Sequence, residues 1–193
     1  ENRDGNSHNH SQNFGVEGAT ADFGIIQERR NTARAMLGTL FFSRGIPMLQ
    51  AGDECGRTQQ GNNNAYCQDN EINYFDWTHR DEELETFVRE GIALRQTYRD
   101  CIQQGSYSWF AATGAEEVDL ACYCLVEYKD ICKMIFLFNG RSEKTAFSLP
   151  LLPEGPGWEC LLSSDGVQVR RPGETQFAVP GRTMQVYSLW KRS

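Results

Sequence analysis

Long apolar runs are missing from this 193-residue chain. The nearest approach, "MLGTLFFSRGIPMLQAG", is broken by Arg44, Gly45 and Pro47. A membrane-spanning helix needs roughly 20 consecutive apolar residues. No signal peptide is visible either. Positive charge is scarce: 19 Lys and Arg face 26 Asp and Glu, for a net charge of -7. Phosphate-backbone binding takes clustered Lys and Arg, and no basic run interleaved with aromatics occurs. Neither a membrane nor a nucleic acid is therefore an expected partner, and a polymeric partner is expected to be uncharged. Histidine is rare too, with only three. His8 and His10 share a face if the segment is a strand, but a metal site wants a third and fourth ligand. Only His79 remains, so no metal and no other cofactor is expected.

Cysteine is present seven times, at 55, 67, 101, 122, 124, 132 and 160, yet no CxxC pair occurs. That gives little support to a zinc or thioredoxin-like reading. Reduced, mostly buried thiols in a cytoplasmic protein are expected instead. Cys122 and Cys124 would share one face of a strand. The sequon at Asn9 is then a chance match. The opening stretch "ENRDGNSHNH" is loop-like and lacks an initiating Met, as expected of a piece of a longer protein.

Hydrophobic residues make up 39% of the chain, enough for a packed core. Residues 1–24 are rich in Asn, Gly and His and read as a long loop. From about 25 to 44, Ala33, Met36, Leu37, Leu40 and Phe41 recur at steps of three and four, one apolar stripe on a helix. Gly45 stands where a helix end calls for a left-handed residue. Ile46-Pro47-Met48-Leu49 then reads as a short buried strand, completing the αβ half of a βα repeat. Thr78-x-x-Asp81 resembles a capping box ahead of a helix carrying Leu84, Phe87, Val88, Ile92 and Leu94. Gly91 lies in that stripe, where a second helix would approach closely. Beyond about 105 come short β-like runs split by turn signals at Asn139-Gly140, Pro153 to Gly157, Asp165-Gly166, Pro172-Gly173 and Pro180-Gly181. This spacing predicts an antiparallel sandwich or barrel.

After the expected strand the chain turns polar, as "AGDECGRTQQGNNNAYCQDN". Loops leaving strand ends build the active face of an α/β barrel. Amides both donate to and accept from sugar hydroxyls, carboxylates accept, and an aromatic ring covers a pyranose face. Asn62, Asn63, Asn64, Tyr66, Gln68 and Asp69 thus suit a neutral glycan. The competing reading is a turn whose amides satisfy their own backbone.

"ENRDGNSHNHSQNFGVEG", "SRGIPMLQAGDECG" and "GNNNAYCQDNEINYFDW" together closely resemble the isoamylase and glycogen-debranching branch of the α-amylase superfamily. The resemblance is strong over residues 1 to about 100 and weaker to the end, where "VPGRTMQVYSLW" is similar to the last strands of that family's β-domain. It implies an α/β plus all-β chain: the terminal part of a (β/α)₈ TIM barrel over 1–104, then an antiparallel C-terminal β-sandwich over 105–193. It implies a parent glycosidase that cleaves α-1,6 branches of glycogen or related α-glucans with retention, using paired carboxylates. In family order those carboxylates lie upstream of residue 1. Asp4, Glu17, Asp53 and Glu54 are accordingly not assigned catalytic roles, and this chain alone is expected to be inactive.

Asn63, Asn64, Tyr66 and Asp69 are the expected substrate contacts, with Asp53 either bordering the bound glucose or bracing the barrel top. Glu54 is expected to be structural. Tyr74, Phe75 and Trp77 read as a hydrophobic anchor rather than a stacking platform. Trp109, Trp158 and Trp190 read as β-domain core. The expected partners are α-glucans such as glycogen and maltooligosaccharides. Self-association is a further expectation, because strand 46–49 without its barrel neighbours would expose unpaired backbone. The alternative reading is a non-catalytic glucan-binding or subunit-assembly module.

Overall fold

The computed structural model describes residues 7–8, 10–150, 157–167, 170–171 and 174–190. Asp4, the Asn9 sequon, most of the 153–157 turn, the 172–173 turn and the Trp190 side chain lie outside what is described. The chain divides into two compact units, residues 1–30 with 49–86, and residues 31–48 with 87–193. Its described α-helices are α1 (Phe23–Phe42), α2 (Glu82–Thr97) and α3 (Arg99–Gln104). None of the described helices is long and apolar enough to cross a membrane.

The described residues of the second unit form eight strands: β1 (Ser106–Ala111), β2 (Ala121–Tyr128), β3 (Cys132–Asn139), β4 (Thr145–Ser148), β5 (Trp158–Ser163), β6 (Arg170–Arg171), β7 (Gln176–Val179) and β8 (Thr183–Trp190). Six form one sheet in the order β1-β2-β3-β8-β5-β6, and β4 pairs with β7 in a second. All of these pairings are antiparallel. Side chains alternate across a strand, and here both faces of the central strands are covered. One face sends Tyr123, Ile135, Leu137, Tyr187 and Leu189 into a core shared with Phe147, Phe177 and Val179 of the small sheet. On the other, Phe42 of α1 meets Phe136 with ring centroids 5.4 Å apart, and Tyr98 bonds Ser188 at 3.1 Å. This double burial is why "ACYCLVEY" and "CKMIFLFN" read as continuous apolar runs. Cys122 and Cys124 do lie two residues apart on one strand, and both are buried.

The two long helices, α1 and α2, start on acidic caps. Asp22 Oδ1 accepts the Ile25 N–H at 3.1 Å, and Asp81 Oδ1 accepts the Leu84 N–H at 3.0 Å. Asp81 therefore caps α2 itself, which corrects the expected Thr78 box. Thr78 instead donates its hydroxyl to Asp76 at 2.6 Å. In the α1 stripe Leu37 and Phe41 are buried, but Met36 is exposed and Phe42 takes a core position. Gly91 does face a helix: a Cβ there would lie 2.8 Å from the Phe41 ring.

Residues 46–50 are neither helix nor strand, which corrects the expected strand at 46–49. Ile46 is 96% exposed and Met48 88%. A β-strand is stable only when a neighbour pairs its backbone, and the described sheets offer this segment none. Gly45 has the expected left-handed backbone, with φ of 104°.

Candidate functional site

Within the first unit, residues 52–57 fold into a knot. Gly52 and Gly56 are left-handed, with φ of 103° and 76°, and bracket one 3₁₀ turn over Asp53–Cys55. The Gly52 carbonyl accepts from the Cys55 and Arg57 N–H groups at 3.2 and 2.9 Å. The Glu54 carboxylate turns back to accept the Gly52 N–H at 2.7 Å, a bracing role. A Cβ on Gly52 would lie 2.6 Å from Arg57 Cδ, so no other residue fits the knot. Asp53 stays exposed, yet its carboxyl is raised above the ordinary value. Lost hydration is the main cause and the Glu54 charge adds to it, while Arg57 opposes both.

Arg57 also fastens the knot to the polar loop that follows. Its guanidinium donates to the Asn73 main-chain carbonyl at 3.0 Å and to the Asn73 side chain at 2.8 Å. Sequence reasoning missed Arg57; its only signal was a lone cation among acidic and amide neighbours. The loop reverses at Gln60 and Gly61, with φ of 52° and 82°. The Gln59 amide donates to the Asn62 carbonyl at 2.7 Å. Asn62 Oδ1 accepts the Asn64 N–H at 2.9 Å, so this amide shapes the turn rather than facing outward.

The expected contacts are distributed along that loop. Asn63 is exposed, and Asn64 is half-buried. Ala65 is buried and pins the chain, while Tyr66 is 80% exposed. Asp69 accepts the Tyr74 hydroxyl at 3.0 Å. Tyr74 and Trp77 are 55% and 67% exposed, and Phe75 lies against Trp77 with centroids 4.1 Å apart. Tyr74 and Trp77 are therefore not the buried anchor expected of them; their rings stand at the surface, as does that of Tyr66. Asp53 belongs to the knot and the other four residues to the loop, with Arg57 and Asn73 as the fastening between them. Trp158 is buried as expected, but Trp109 is 47% exposed and stacks on Phe138 at 5.7 Å. Among the described residues, no group of three or more His, Cys, Asp or Glu converges to hold a metal ion.

No protein-family model matches the chain. Among curated proteins, the glycogen debranching enzyme of Yersinia enterocolitica serotype O:8 is 49% identical over 162 residues, which is 78% of this chain and 24% of that protein. The chain is homologous to the C-terminal portion of the glycogen debranching enzymes. The debranching enzyme of Yersinia pseudotuberculosis serotype O:1b is 56% identical over 96 residues, covering 50% of this chain and 14% of that enzyme. The chain thus spans about a quarter or less of these debranching enzymes. Solved structures show the same fold. The catalytic module of a multi-modular glycogen-degrading pneumococcal virulence factor, solved with an inhibitor, aligns with a TM-score of 0.66 at 17% identity. That alignment covers 88% of this chain and 32% of the module. The α-amylase of Geobacillus thermoleovorans, solved with acarbose, aligns at 0.59 and 21% identity over 88% of this chain and 36% of the amylase.

Proposed function

We propose that the chain is the C-terminal portion of an isoamylase-type debranching glycosidase, the part that contributes α-glucan contacts beside a reactive centre encoded upstream. The carrying observation is the 49% identity over 162 residues to a protein named as a glycogen debranching enzyme. The exposed amide and aromatic groups of the 59–77 loop support it, because their chemistry complements sugar hydroxyls and pyranose faces. In this reading 1–104 is the end of the catalytic barrel and 105–193 the β-domain. Asn63, Asn64, Tyr66, Asp69 and Asp53 are the glucan contacts. The intact protein hydrolyses α-1,6 branches in a cytoplasmic setting with retention. That mechanism needs two carboxyl groups about 5 Å apart across the scissile bond, and neither is assigned to this chain.

Two measurements test the reading. Purified chain should bind maltooligosaccharides at millimolar concentration or tighter, and Asn63→Ala or Asp69→Ala should abolish binding. The same chain should release no reducing ends from glycogen. Absent binding would refute the glucan contacts, and measurable debranching would refute the upstream placement of the catalytic pair. One observation favours the assembly-module reading as well: Ile46 and Met48 stand exposed on an unpaired segment. If that segment drives self-association, Met48→Asp should lower the sedimentation coefficient of a concentrated sample.

A further inference from the structure

Residues 13–18 form a second loop of the first unit. Phe14, Gly15 and Gly18 adopt φ of 60°, 99° and 72°, a left-handed shape that glycine takes freely and that costs Phe14 about 1 kcal/mol. Arg29, in the second turn of α1, holds it. Its guanidinium donates to the carbonyls of Asn13, Val16 and Gly18 at 2.8, 2.5 and 2.7 Å. Only a planar fork of several donors satisfies three carbonyls from one side chain in this way. Inside the loop, Asn13 uses both ends of its amide. Its oxygen accepts the Gly15 N–H at 2.9 Å, and its nitrogen donates to Glu17 Oε2 at 3.1 Å.

One oxygen of Glu17 is thereby fixed. The other, Oε1, faces the tip of the Asn-rich loop, where a Cβ on Gly61 would lie 3.9 Å from it. Gly61 directly precedes Asn62, Asn63 and Asn64. Two loops separated by some forty residues therefore meet where an exposed carboxylate oxygen faces the residue that precedes three asparagines in the chain. A carboxylate can take both hydroxyl protons of a sugar diol, while neighbouring amides donate to and accept from the hydroxyls around it. Hydrogen bonds to an ionised acceptor are also about twice as strong as neutral ones.

We propose that Glu17 is a hydroxyl acceptor in the α-glucan site, and that Arg29 is the positioning residue that fixes it there through loop 13–18. The inference rests on the glucan reading of the Asn-rich loop. Glu17 takes no part in bond cleavage; it holds a glucose unit against Asn63 and Asn64.

The test is calorimetric titration of the full chain with maltohexaose. Glu17→Ala should weaken binding about tenfold, the loss of one charge-assisted hydrogen bond. Glu17→Gln, which keeps an acceptor oxygen, should lose less. Arg29→Ala should weaken binding to a similar extent, with Arg29→Lys intermediate. In the double variant, Arg29→Ala with Glu17→Ala, the loss should not exceed that of Glu17→Ala alone, because one residue acts through the other. Additive losses would overturn the positioning role. Wild-type affinity in Glu17→Ala, alongside weakened binding in Asn63→Ala, would overturn this inference and leave the loop reading standing. No binding by the unaltered chain would overturn both. Should Arg29→Ala unfold, the exposed Glu17 variants and Arg29→Lys still decide the question.

Discussion

Asn139 shows how much one amide can hold. It is 2% exposed, and its nitrogen reaches the carbonyls of Glu143, Val179 and Pro180, each at 3.0 Å. Its oxygen accepts the Arg141 N–H at 3.2 Å. Asn139 was readable in the sequence only as half of an Asn-Gly turn; nothing local announces that β3, β4 and β7 converge on it. Asn139→Ala leaves these carbonyls without a donor where water enters poorly, and should cost about 2–3 kcal/mol in urea denaturation. Asp53 gives a pH-dependent prediction. A carboxyl whose value is raised on folding holds its proton more tightly in the folded state. Its contribution favours folding below the ordinary aspartate value of about 3.9, and is lost as pH rises through the raised folded value. Arg57 is the group that opposes the rise. Arg57→Met should therefore move the Asp53 midpoint further up in carboxyl-carbon NMR; an unchanged or lower midpoint would contradict the assigned cause.

The helices α1 and α2 were readable from their 3.6-residue period, and their packing partners partly so, whereas the six-residue α3 was too short to show a period. Gly91 was expected to admit a close helix, and Phe41 of α1 is the group it admits. Alanine at 91 gains about 1 kcal/mol in helix propensity but drives a methyl into a ring that is 2% exposed. Overpacking of this kind costs about 1–3 kcal/mol. Gly91→Ala should thus lose about 1 kcal/mol in the native background, yet gain stability when Phe41→Ala has removed the ring. Thermal denaturation of the four-variant cycle reads that reversal of sign. The segment at 46–49 failed as a strand for the converse reason. Alternation and β-branching describe a residue's fitness for a pleated surface, but pairing requires a neighbour that the described sheets do not supply. Trp77 was misjudged because aromatic content alone does not distinguish a buried ring from one placed for contact.

At the level of the molecule, turn spacing predicted many short antiparallel strands after residue 105, and the strands are there. Their order was not readable, since nothing in β5 or β8 marks them as neighbours. The thiols give a test of the whole packed state. Cys67 is exposed and the other six cysteines are buried. A native sample treated with an aromatic disulfide reagent should release one equivalent quickly, and that fast phase should vanish in Cys67→Ser. Two or more fast equivalents would mean that packing around at least one buried thiol opens locally.

The sheet order has a consequence for synthesis. β8 lies between β3 and β5, although in chain order it is the last of the described strands. A ribosome has made the other described strands of this sheet before the one that joins its two halves, so the nascent sheet waits with two open edges until residues 183–190 leave the exit tunnel. A premature stop codon anywhere between β7 and β8 would take the centre from the sheet.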